Sequence, residues 1–170
     1  TRSRNVHVVD ADARAPDDDE VIGGDGNDEI IGSHGSDTIQ GGAGDDLIFG
    51  GFGPEPIAGF PGEVPDATDP VPQNGRDLLE GGAGNDTIYG DQYAQAYFPQ
   101  ARDTIHGGAG DDTIYGGTGN AEDSWDAGDK LYGDDGNDEL FGEFGSDRLF
   151  GGAGDDKLWG QAGDDYIYGE

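Results

Sequence analysis

The sequence contains no cysteine and no methionine. Without cysteine there are no disulfide staples and no thiolate metal sites. Basic residues are scarce: 8 Lys and Arg stand against 38 Asp and Glu, a formal charge of −30 over 170 residues. A field of that sign repels phosphate, which argues against nucleic acid and anionic membrane as partners. Apolar residues are few as well, at 32%, where an ordinary compact core draws on nearly half of a chain. Low hydrophobicity with a large like-signed charge is the composition of a chain that stays unfolded in plain buffer. No apolar run is long enough for a membrane span or the core of a signal peptide. Catalytic signatures are missing too. His7, His34 and His106 are the only histidines, and neither His-Glu-x-x-His nor Gly-x-Ser-x-Gly occurs. These absences argue against an enzyme within these residues and leave a chain whose acidic excess calls for cations.

What is abundant is glycine, 35 residues, and it is periodic. Gly81-Gly82-Ala83-Gly84-Asn85-Asp86-Thr87-Ile88-Tyr89 has the form Gly-Gly-x-Gly-x-Asp-x-U-x, with U a large aliphatic residue. The frame starts again at Gly23, Gly32, Gly41, Gly107, Gly133, Gly142, Gly151 and Gly160. Copies starting at Gly50, Gly90 and Gly116 are interrupted and resume at Asp77, Asp103 and Asp129. All twelve repeats have Asp at the sixth position and Ile or Leu at the eighth. Asp19-Glu20-Val21-Ile22 reads as the tail of one further, degenerate copy. A disordered Gly/Asp linker has no reason to hold that register. Asp pairs such as Asp45-Asp46 and Asp111-Asp112 resemble the two carboxylates of a glycosidase, but their recurrence in a ladder suits metal ligation better.

These nonapeptides resemble the RTX family of hemolysin-type calcium-binding repeats, over roughly residues 17 to 170. The resemblance implies an all-β, right-handed parallel β-roll, a two-sheet solenoid of about six coils with two nonapeptides per coil. It also implies the sixth-position carboxylates as calcium ligands: Asp28, Asp37, Asp46, Asp77, Asp86, Asp103, Asp112, Asp129, Asp138, Asp147, Asp156 and Asp165. The residues support this reading. Gly-rich hexapeptides turn tightly without a Cβ penalty, and x-U-x is a three-residue strand with one inward side chain. Turns of repeats i and i+2 then stack about 4.8 Å apart. A carboxylate from each turn and several turn carbonyls make an all-oxygen cage, which suits calcium better than zinc or magnesium. The carbonyls of Gly24, Gly26, Gly42, Gly44, Gly82, Gly84, Gly108, Gly110, Gly152 and Gly154 are the candidates. With so thin an aliphatic column, the chain is expected to be disordered without calcium and to fold when it binds. Extracellular modules bind calcium at roughly 10⁻⁴–10⁻³ M. The resemblance therefore implies a secreted, extracellular protein, unfolded inside the cell and exported in one step (type I secretion).

Numbered from Gly23, the odd repeats keep the motif and the even ones stray. About five calcium ions are expected between the six odd turns, with fewer or weaker sites on the even edge. All three insertions, within 54–76, 91–102 and 120–128, fall in even turns and so belong to one edge, at little cost in loop entropy. They carry Phe52, Phe60, Tyr93, Tyr97, Phe98 and Trp125 near the interruptions. These aromatics either pack on one another or form a carbohydrate or protein contact. A further calcium at Asn120, Glu122, Asp123 or Asp126 follows no known loop spacing. Ninth positions of the odd repeats, Ile31, Phe49, Tyr89, Tyr115, Phe141 and Trp159, predict an outward aromatic stripe. The even set is mixed: Gln40, Glu80, His106, Tyr132, Phe150 and Tyr168. Residues 1–16 form an N-terminal segment in which Val6-His7-Val8-Val9 suits a covering strand, while Tyr166–Glu170 stop in mid-phase. An open end of that kind fits either a segment of a longer secreted enzyme or toxin, or end-to-end association into a fibre or adhesive layer.

Overall fold

The nine-residue period alternates a glycine bend with a short β segment, and the chain follows it. The computed structural model describes residues 4–8, 18–32, 35–51, 76–91, 102–117 and 128–169. Its strands are β1 (Arg4–Val8), β2 (Glu20–Asp25), β3 (Asn27–Ile31), β4 (Thr38–Ala43), β5 (Leu47–Phe49), β6 (Leu78–Ala83) and β7 (Thr87–Asp91), followed by β8 (Thr104–Ala109), β9 (Thr113–Gly117), β10 (Lys130–Asp135), β11 (Glu139–Glu143), β12 (Arg148–Ala153), β13 (Lys157–Trp159) and β14 (Tyr166–Tyr168). The odd strands form one seven-stranded sheet in the order β1-β3-β5-β7-β9-β11-β13, and the even strands form the other. Every neighbouring pair is parallel. This is the parallel β-roll the repeat predicts, with the chain crossing between sheets twice per coil. Among the described residues no helix is long and apolar enough to cross a membrane.

Turns 23–28, 41–46, 81–86, 107–112, 133–138 and 151–156 lead from the even sheet to the odd sheet and stack along a first edge. The returning turns make a second edge. There the chain leaves at Gly51, Asp91 and Gly117 and re-enters at Arg76, Arg102 and Gly128, so all three insertions belong to this edge. They do not disturb the stacking. The same bond, from a sixth-position Asp amide to the next sixth-position carboxylate, closes coils of 18, 40 and 26 residues.

Apart from β14, the even-sheet strands are longer than the three residues expected. Six-residue strands such as β4 continue into the turn: pairing skips the first turn residue and resumes at the second and third, as in Gly24 with Gly42 and Asp25 with Ala43. The second-position glycines permit this because they sit at φ between 104° and 115°, closed to most L-residues. Fourth-position amides then donate to third-position carbonyls of the next turn, as from Gly26 to Ala43 at 2.6 Å and from Gly110 to Asp135 at 2.9 Å.

Between the sheets runs one column of eighth-position side chains. Ile30, Ile39, Ile48, Leu79, Ile88, Ile105, Ile114, Leu131, Leu140 and Leu149 are fully buried, and Val21 of the degenerate copy joins them. Leu158 is half-buried and Ile167 is 49% exposed, because no described strand stacks beyond β13 or β14. The ninth positions stack outside. Phe49, Tyr89, Tyr115, Phe141 and Trp159 form a run of parallel rings with centroids 4.5–5.1 Å apart. His106, Tyr132, Phe150 and Tyr168 do the same on the even sheet. Ahead of them, Gln40 Nε2 donates to Glu80 Oε2 at 2.7 Å. Ile31 and Phe49 point outward yet are buried, so the stripe is exposed only toward Trp159. Parallel pairing in register places the same repeat position one strand apart, and ring stacking follows.

Candidate metal centre

Each turn ends in an Asp whose backbone is fixed by the ladder and whose side chain folds back under the bend. On the first edge, Oδ1 of Asp46, Asp86, Asp112, Asp138 and Asp156 each accepts the amide of the sixth-position Asp one coil earlier, at 2.7–3.0 Å. Oδ1 of Asp37, Asp77, Asp103, Asp129, Asp147 and Asp165 does the same on the second edge, where the amide of Asp19 opens the series. The twelve predicted carboxylates therefore lie in two ladders. Ten are buried; Asp156 and Asp165, in the last turn of each edge, are only partly so.

The second carboxylate oxygen behaves differently. Among the described residues, Oδ2 of Asp28, Asp46, Asp86, Asp112, Asp138 and Asp156 is buried and accepts no hydrogen bond, which covers every sixth position of the first edge. Among the described residues Asp28 has no earlier turn on its edge, and neither of its carboxylate oxygens accepts a hydrogen bond. An ionised carboxylate stripped of water with one oxygen unanswered is strongly unfavourable. The acidities register it. Burial pushes Asp112 up to about 7; an amide bond from Asp86 opposes the rise, and the charges of Asp86, Asp138 and Asp111 add to it. Burial likewise raises Asp86 to about 6, against an amide bond from Asp46 and with the charge of Asp46 behind it. Asp46 and Asp138 move the same way for the same leading reason. Four adjacent members of one ladder thus resist ionisation unless a cation joins them.

The surroundings of the free oxygens suit a hard cation. A β-carbon at Gly23 would stand 2.7 Å from Asp28 Oδ2 and 2.5 Å from the Gly41 carbonyl oxygen. The free carboxylate oxygen and a carbonyl of the next turn therefore converge on one small space. The same pairing recurs at Gly41, Gly81, Gly107 and Gly133 with the carbonyls of Gly81, Gly107, Gly133 and Gly151. Second- and fourth-position carbonyls also point at the following turn. A β-carbon on Gly42, Gly44, Gly82, Gly84, Gly108 or Gly110 would collide with the carbonyl of Gly24, Gly26, Gly42, Gly44, Gly82 or Gly84 respectively. The Gly110 carbonyl faces Gly136 in the same way. Gly152 and Gly154 lie in the last turn of this edge, and no later turn among the described residues faces their carbonyls. Side chains alone do not complete a site: among the described residues no three His, Cys, Asp or Glu side chains cluster to hold a metal. Two carboxylates and a set of carbonyls is the donor complement of calcium, which takes six to eight oxygens.

Sequence reasoning passed over some of these donors. The first-position carbonyls of Gly41, Gly81, Gly107, Gly133 and Gly151 were hidden because glycine there reads as a turn residue. No left-handed φ occurs at those glycines, and what excludes a side chain is the adjacent carboxylate. The carbonyls of Asp134 and Gly136, which face Gly152 and Gly154, were also missed. Asp134 breaks the glycine pattern yet holds φ at 71°. Phe52, Phe60, Tyr93, Tyr97, Phe98 and Trp125, with Asn120, Glu122, Asp123 and Asp126, lie outside the described residues.

The comparison with known families falls on the same elements. The family described as RTX calcium-binding nonapeptide repeat (4 copies) matches residues 22–54, 73–92, 100–120, 126–149 and 141–170, well over half the chain. The chain belongs to the RTX calcium-binding repeat family. No curated protein matches it individually. RTX repeats are structural calcium-binding modules, and the buried, half-satisfied carboxylates of this roll fit the ion.

Proposed function

We propose that this RTX roll is a calcium-gated folding module of a secreted, extracellular protein, non-catalytic in itself. Residues 17–170 make the roll and 1–16 a covering segment. It is disordered without calcium and folds when the ion binds after export. The observation that carries the reading is the run of buried, unanswered Oδ2 atoms at Asp28, Asp46, Asp86, Asp112, Asp138 and Asp156. Calcium would be held by the sixth-position carboxylates of two stacked turns together with their turn carbonyls. It would neutralise the two acids and supply the binding free energy that the single Ile/Leu column lacks. About five ions belong to the first edge. A chain with a charge of −30 remains expanded where free calcium is low and condenses where it reaches the 10⁻⁴–10⁻³ M range of extracellular modules.

Circular dichroism during calcium titration from chelator tests this, with particle size followed in parallel. A cooperative rise in β signal with calcium is the expected result. A full β spectrum in excess chelator at neutral pH sinks the reading.

A further inference from the structure

The fifth turn position, just before the ligand Asp, follows a different rule on each edge. Along the first edge it alternates strictly: Asn27, Asp45, Asn85, Asp111, Asn137, Asp155. These side chains bridge successive turns. Asn27 Nδ2 donates to Asp45 Oδ2 at 3.3 Å, and Asp45 Oδ1 accepts the Asn85 amide at 3.2 Å. Asn85 Oδ1 accepts the Asp111 amide at 3.0 Å, and Asp111 Oδ1 accepts both nitrogens of Asn137 at 2.9 Å. Asn137 Oδ1 then accepts the Asp155 amide at 3.0 Å. Stacked acids about 4.8 Å apart would repel, and alternation keeps any two from being neighbours. It has a second effect. Counting fifth and sixth positions only, each of the five gaps holds two sixth-position acids and one fifth-position acid, a uniform formal charge of −3.

The second edge reads Asp18, Ser36, Arg76, Arg102, Gly128, Ser146, Asp164. Its fifth-position side chains also reach across the gap, since the Ser36 amide donates to Asp18 Oδ1 and the Arg76 amide to Ser36 Oγ, both at 2.9 Å. Arg76 and Arg102 occupy equivalent places on neighbouring strands, two residues before the paired Leu78 and Thr104. The gap between Asp77 and Asp103 is therefore formally neutral, and the gaps on either side of it, with one arginine each, stand at −1. Charge returns to −3 at both ends, beside Asp18 and Asp164. The arginines stand just before the Asp at which the first two interruptions return to phase, Asp77 and Asp103.

Resting on the calcium reading above, we infer that the fifth-position residue sets which gaps take calcium: the first edge fills uniformly, while Arg76 and Arg102 stand in for the ion at the centre of the second edge. A guanidinium carries the charge there permanently, so those gaps need no ion of their own once calcium has closed the first edge. Calcium bound per chain, measured by native mass spectrometry and equilibrium dialysis, tests the inference. The double variant Arg76→Asn, Arg102→Asp copies the first-edge alternation and should bind one or two more ions than the wild type. Arg76→Lys with Arg102→Lys keeps the charge and should keep the wild-type number. The reverse change, Asn85→Arg with Asp111→Arg, should lose at least one ion. An Arg76→Asn, Arg102→Asp chain that reaches wild-type β content with an unchanged ion count overturns the inference, as does a gain in the lysine variant. A wild-type chain that binds no calcium would instead overturn the reading on which it rests, and no variant is needed to see that.

Discussion

Asp112 offers the sharpest test, because one substitution should act in opposite directions with and without calcium. Its carboxyl is raised from the usual 3.8 to about 7, by burial first, against an amide bond from Asp86 and with neighbouring acids adding to it. A group whose folded value lies above its unfolded one supports the metal-free roll fully below about pH 3.8, and that support is lost as pH rises through about 7. A displacement of this size corresponds to roughly 4 kcal/mol, which water screening at the turn trims to about 2–3 kcal/mol. Asp86, raised to about 6, loses its share over a lower window. In chelator, β signal should therefore grow as pH falls from 8 toward 5. Asp112→Asn removes the charge at nearly constant shape, so in chelator it should shift that acid-folding midpoint upward. With calcium the sign reverses: the variant lacks a ligand shared by two gaps, and its calcium midpoint should rise about tenfold, the equivalent of ~1.4 kcal/mol. Wild-type calcium affinity should climb between about pH 4 and 7 and level off above, since ligation requires ionised carboxylates. The reasoning is refuted if Asp112→Asn gains nothing in chelator, or if it folds at the wild-type calcium concentration.

Other expectations follow from the turn and the column. Gly107→Ala would drive a β-carbon against Asp112 Oδ2 and the Gly133 carbonyl. It should cost about 2–3 kcal/mol in urea unfolding at saturating calcium, although its φ is one that alanine adopts. Ile114→Ala opens a cavity in a fully buried column and should cost about 2–4 kcal/mol. Ile167→Ala, half-exposed on β14, should cost under about 1 kcal/mol by the same assay. Gln161 holds φ at 69°, a left-handed conformation without the freedom of glycine. Gln161→Gly should raise the thermal midpoint in calcium by the equivalent of about 1 kcal/mol.

The fold was legible because the repeat constrains two periods at once. Ile or Leu every ninth residue can be inward on both sheets only if each nonapeptide is half a coil. The interruptions of 22, 8 and 8 residues announce themselves by returning to phase at Asp77, Asp103 and Asp129. The stacking of the sixth-position carboxylates was legible for the same reason, since register alone places Asp46 on Asp28. Other features depend on three-dimensional closeness that no residue type reports. Glycine at the second position answers to φ, whereas glycine at the first answers to a carboxylate lying against its α-carbon. The letter is the same and the cause is not. Backbone donors such as the carbonyl of Asp134 carry no side-chain signature at all. The length of the even-sheet strands was hidden too, because a Gly-Gly-x tripeptide reads as a bend and not as a ladder that skips one residue.

If calcium gates folding as proposed, the outer ring stacks bear on why the gate would sit at the turns. Rings held 4.4–5.1 Å apart on both sheets favour neighbouring coils by about 0.5–1.5 kcal/mol per pair. The inner column adds roughly 1.5–3 kcal/mol per fully buried residue. Both contributions grow in proportion to the number of coils, and neither depends on calcium. So does the opposing cost, since every coil also adds two sixth-position acids pressed into register. Lengthening the roll therefore cannot by itself make the metal-free chain fold; only a change in the charge of the turns can. On the proposed reading, control of folding would therefore lie in the Asp ladders and in the residues beside them.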